Sequence, residues 1–108
     1  LPIFLYGHKA VPADDITVWA KWFEKADRKV ANTKVGDAEV STVFLGIDHS
    51  FGRNGSTPIL FETMIFDGPH NLWQARYTTE AAARRGHALV LKHIHAGLDP
   101  DGCGPLRV

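Results

Sequence analysis

Residues 40–66 read VSTVFLGIDHSFGRNGSTPILFETMIF. Residues 40–48 and 58–66 are rich in β-branched, aromatic and aliphatic side chains, and the interval HSFGRNGST contains two glycines and an Asn-Gly pair. That pattern predicts two strands joined as a hairpin. In the simplest register Asp48 faces Pro58, and opposed residues of an antiparallel pair share a face. One face then carries Ser41, Val43, Leu45 and Ile47 with Ile59, Phe61, Thr63 and Ile65, and is the expected core face. The other carries Val40, Thr42, Phe44, Gly46 and Asp48 with Pro58, Leu60, Glu62, Met64 and Phe66, and Glu62 lies opposite Phe44. Because side chains alternate, a slip of one residue would move a whole strand's set across the sheet.

Outward from this hairpin, residues 14–31 predict a helix. Pro12 precedes Asp14 and Asp15, which suit an N-cap and first turn, and Ile16, Trp19, Phe23, Ala26 and Val30 recur at helical steps. Trp19 and Trp22 are expected to anchor the core, and Lys21, Lys25, Arg28 and Lys29 to form a solvated face. Residues 72–77, LWQARY, read as a third strand. Thr78 or Thr79 caps a second helix over residues 80–95, which Gly97 stops. Residues 1–13 read as an arm or an extra edge strand, and residues 96–108 as a flexible tail. The expected fold is one α+β domain, a two-layer sandwich in which a three-stranded antiparallel meander is flanked by two helices in the order α-β-β-β-α.

Composition narrows the function classes. With 108 residues the chain has room for one modest core. Twelve basic and twelve acidic residues cancel, which disfavours the broad electrostatic footprint of nucleic-acid binding. No apolar run approaches the ~18 residues needed to span a membrane. The single cysteine, Cys103, cannot close an intrachain disulfide, so a reducing, cytoplasmic setting is expected.

Candidate chemistry is sparse. Asp48 and His49 stand together at a strand end, where a carboxylate and an imidazole can share a metal or act as base and orienting group. Glu62 lies four residues beyond Pro58, about 13 Å at ~3.4 Å per residue, too far to join them on one metal. Arg53, in the loop, is suited to an anion or nucleotide contact, although the loop opens onto a strand and not onto a helix N-terminus. His87, His93 and His95 do not have the spacing of a zinc site, and His87 falls on the apolar stripe of the second helix. No metal and no cofactor is assigned.

Residues 40–48, 60–66, 76–79 and the Gly86-His87 pair, with Trp19, Trp22 and Arg28, carry a resemblance. The chain resembles a group of short proteins of tailed bacteriophages, prophages and their bacterial hosts, with the pattern VSTVFLGxDH…LFETMxF. The resemblance implies a phage-associated accessory protein, with host modulation or anti-defence among the roles open to it, and supplies no catalytic residues. The resulting expectation is a non-enzymatic binding protein. It would act as a homodimer or with a protein partner through Phe44, Leu60, Glu62, Met64 and Phe66. The alternative is a small metal- or nucleotide-dependent hydrolase using Asp48, His49, Arg53 and His87.

Overall fold

The structure, a computed structural model, describes residues 3–6, 9–47 and 57–102. Strands β1 (Ile3–Tyr6) and β2 (Lys9–Pro12) pair antiparallel as a separate two-stranded hairpin. The N-terminal segment is therefore not an edge strand of the main sheet. It is tied to the body by Ile3, whose amide donates to the Gly46 carbonyl.

Helix α1 spans Ile16–Lys25, and its N-cap Asp15 accepts from the amides of Thr17 and Val18. The helix is shorter than its apolar spacing suggested. It ends at Ala26, in extended backbone, and the Asp27 carboxylate accepts from the Lys29 amide in a side-chain turn. Past that turn, KVANTKV is a strand, β3 (Lys29–Val35), where helix end and polar link were expected. The main sheet consequently has four strands rather than three.

A two-residue turn with Gly36 at φ +59° leads into β4 (Ala38–Phe44), followed by β5 (Phe61–Phe66) and β6 (Gln74–Tyr77). The order β3-β4-β5-β6 is antiparallel throughout. Helix α2 (Glu80–His95) starts at Thr79, whose hydroxyl accepts from the Ala82 amide, and stops at Gly97, φ +72°. The expected second helix is recovered to the residue. The first part of the expected tail is packed: Pro100 is fully buried in a short 3-10 turn, and the Asp101 carboxylate accepts from Trp73 Nε1.

The register between β4 and β5 decides what is inside. Val40 opposes Ile65, Thr42 opposes Thr63 and Phe44 opposes Phe61, one residue away from the expected pairing. The expected inner set of β5 is right, with Phe61, Thr63 and Ile65 buried. The expected set of β4 is inverted, since Val40, Thr42 and Phe44 are buried while Ser41, Val43 and Leu45 are only partly so. The hairpin is not tight: β4 ends at Phe44 and β5 begins at Phe61.

Helix α2 lies on the inner face. Ala83, Gly86, His87 and Val90, spaced three and four apart, pack with Val40, Ile65, Ala75 and Tyr77 into the core. Burying each large apolar side chain there stabilises the fold by about 1.5–3 kcal/mol. Helix α1 covers the far end of the sheet. Trp22 meets Phe44 edge-on at 6.2 Å, and Trp19 is buried with its Nε1 donating to the Ile3 carbonyl. Gly46 (φ +80°) passes beneath α1 so closely that a Cβ would lie 2.6 Å from the Phe23 ring. Arg28, expected on a solvated face, stacks on Phe23 at 4.0 Å and donates to the Phe44 carbonyl.

Candidate functional site

The side of the main sheet facing away from α2 is built by the alternate residues of four strands. Its rungs follow the register: Lys34, Glu39 and Phe66; then Asn32, Ser41, Met64 and Gln74; then Lys29, Val43, Glu62 and Arg76. Among the described residues, no helix lies along this face.

Glu62 stands in the third of these rungs, opposite Val43 on one side and Arg76 on the other. Arg76 Nε donates to Glu62 Oε2 at 2.9 Å, and the two side chains retain only 18% and 13% of their exposure. The carboxylate therefore belongs to a cross-strand ion pair, a kind of contact that contributes a fraction of a kcal/mol to about 1 kcal/mol. A second polar link, Asn32 Nδ2 to Glu39 Oε2 at 2.9 Å, joins β3 to β4. Met64, half-buried, stands in the middle rung; half-buried Val43 opposes Glu62, and Phe66, 39% exposed, opposes Glu39 in the first rung.

The expected binding set divides. Glu62, Met64 and Phe66 lie on the open face as expected. Phe44 does not: it is fully buried on the opposite face, 5.4 Å ring to ring from Phe61, because the true register turns it inward. Leu60 is also buried, its amide donating to the Tyr77 carbonyl and its own carbonyl accepting from Leu45. Asp48, His49 and Arg53 lie outside the described residues.

His87, the remaining catalytic candidate, is 5% exposed and sits in the core. Its Nδ1 is 2.8 Å from Thr42 Oγ1 and its Nε2 is 3.0 Å from Thr33 Oγ1, while Thr42 also bonds Thr63. Burial holds its pKa below the ordinary histidine value. A neutral imidazole with one N–H can donate to one threonine and accept from the other, so both nitrogens are engaged in joining α2 to β3 and β4. Among the described residues, no group of three His, Cys, Asp or Glu is placed to hold a metal ion.

Arg76, the partner of Glu62, is not among the site residues expected from the sequence. The signal was the alternation in QARY: Ala75 and Tyr77 are buried, so Gln74 and Arg76 must share the face of Glu62. No model of a protein family, no curated protein and no solved structure matches the chain.

Proposed function

We propose that the chain is a small non-enzymatic protein of the phage accessory kind that acts by protein–protein association, first with a second copy of itself, through the open sheet face. The observation that carries this reading is Met64 standing next to the Glu62–Arg76 rung, with Phe66 exposed one same-face rung further along β5, on a face along which no helix lies among the described residues. Val43, Met64 and Phe66 set among polar and charged residues match the mixed composition of a non-obligate association surface. Its charges have both signs, with Lys29, Lys34 and Arg76 against Glu39 and Glu62, so a copy turned about a two-fold axis can oppose unlike charges. The engagement of both His87 nitrogens by threonines fits a structural histidine better than a catalytic one. Host modulation or anti-defence is the role that the resemblance to phage proteins suggests for such a surface.

Light scattering on the full chain tests it. The wild type is expected at the mass of two chains, and Met64→Asp at the mass of one with an unchanged circular dichroism spectrum. A wild-type monomer that purifies with a bound metal or nucleotide overturns the reading in favour of a hydrolase.

A further inference from the structure

A cavity of about 380 Å³ opens at the end of the sheet opposite α1. It lies between the β3–β4 turn, the β5–β6 loop and the last turn of α2. Its floor is apolar, made by Val35, Ala38, Ile65, Ile94 and Leu98, and its polar side chains are Asp37 and His70. That volume is within the range of sites for small organic molecules, here open to solvent and lined mainly by apolar side chains.

Two features argue that the cavity is more than an uneven surface. Leu98 lines it while remaining 55% exposed, so an apolar occupant would remove that surface from water. The loop bearing His70 is also held in one shape. Asn71 Oδ1 accepts from the Asp67 amide, the Trp73 amide donates to the His70 carbonyl, and Trp73 Nε1 is anchored on Asp101. Within it Asp67 and Leu72 adopt φ +68° and +69°, left-handed backbone that costs a bulky residue such as Leu72 free energy and that clusters at functional sites.

Charge selects the ligand. Asp37 is the charged side chain among the lining residues, and the last turn of α2, at the end that carries partial negative charge, contributes Ile94 to the wall, with Gly97 just beyond it. Lys92, His93 and His95 belong to the same last turn but do not line the cavity. We propose that this cavity binds a small organic amine, its ammonium held at Asp37 with the His70 ring as a second polar contact and its apolar body on Ile65, Ile94 and Leu98. The site is separate from the open sheet face and does not depend on what covers that face.

Amide NMR spectra of the full chain, titrated with phenethylamine, 3-phenylpropionate and 3-phenyl-1-propanol, test the proposal. The amine is expected to move the Gly68, His70, Gly97 and Leu98 amides saturably, with the carboxylate about five-fold weaker or worse. Asp37→Asn should weaken the amine by about two- to five-fold, as fits an exposed ion pair, and leave the alcohol unchanged. Leu98→Ala should weaken both. Equal affinity for amine and carboxylate, an Asp37→Asn effect shared by the alcohol, shifts confined elsewhere, or no saturable shift with any probe overturns it.

Discussion

His87 Nδ1 lies 2.8 Å from Thr42 Oγ1, and the two residues are 45 apart in sequence. This contact, with Nε2 on Thr33 and the bond from Thr42 to Thr63, runs a polar line from α2 across three strands through an otherwise apolar core. A threonine in a buried strand position would be costly without partners; here each hydroxyl has one. The network also fixes register, since only one alignment of β4 on β5 brings Thr42, Thr63 and the imidazole together.

The network makes stability depend on pH in a definite direction. Burial lowers the folded-state pKa of His87 below 6.5, whereas the unfolded chain titrates near that value. Between the two, the unfolded state binds more protons, so stability rises with pH. The contribution is complete above about pH 6.5 and is lost as pH falls through the folded pKa. Urea midpoints measured at pH 7.5 and pH 5 should therefore differ more in the wild type than in His87→Gln. Equal differences would show that His87 is not the group responsible.

Thr42→Val keeps the shape of the side chain and removes the hydroxyl shared by His87 and Thr63. Leaving buried polar groups without a partner costs about 1–3 kcal/mol, more than removing a methyl group and keeping the hydroxyl. Thr42→Val should accordingly lower the urea midpoint further than Thr42→Ser. The reverse order would mean that the site values the methyl and not the hydrogen bonds.

Gly86 is where α2 lies directly on the Tyr77 ring of β6. An added Cβ would lie 2.3 Å from Tyr77 Oη and 2.4 and 2.5 Å from Cε1 and Cζ of a fully buried ring. Alanine in a helix interior normally gains about 1 kcal/mol over glycine. Here overpacking, typically about 1–3 kcal/mol, opposes that gain. Gly86→Ala is expected to destabilise, and adding Tyr77→Phe should recover little, because the two ring-carbon contacts remain. A Gly86→Ala variant with a raised melting temperature would contradict the packing.

Much of this fold can be read from the chain, and the failures have physical causes. The span of α2 follows from Thr79, the Ala83-His87-Val90 spacing and Gly97, all local signals. The end of α1 was hidden because Ala26 and Val30 continue its apolar spacing, while the Asp27 turn that breaks it depends on a side-chain bond to Lys29. The β4 register was hidden because Ser41, Val43, Leu45 and Ile47 look at least as apolar as Val40, Thr42 and Phe44. Thr42 is acceptable inside because Thr63 on the next strand and His87 on a distant helix satisfy its hydroxyl. The alternation of β5 is enough to face Glu62 away from α2, since Phe61, Thr63 and Ile65 go inward whichever residues oppose them. Arg76 could not be assigned as its partner until the order of β5 and β6 was known.

The register itself can be tested with two neighbouring substitutions. In the observed pairing Val43 is on the open face directly opposite Glu62, and Phe44 is fully buried against Phe61 and Trp22. Val43→Lys places a cation between Glu62 on one side and Lys29 on the other, on a partly exposed face where cross-strand charge pairs of either sign contribute a few tenths to about 1 kcal/mol. The expected change in stability is within about 1 kcal/mol of wild type. Phe44→Lys removes a large ring from the core, a loss of about 3–5 kcal/mol before any cost of burying the ammonium. With the several kcal/mol cost of burying an unpaired ammonium added, the total is comparable to the whole stability of a small domain, about 5–15 kcal/mol. A register shifted by one residue would reverse the order, because Val43 would then face α2 and Phe44 would stand in the open beside Glu62. Circular dichroism melts of the two variants distinguish these outcomes: a cooperative transition retained in Val43→Lys and lost in Phe44→Lys supports the observed register, and the opposite result excludes it.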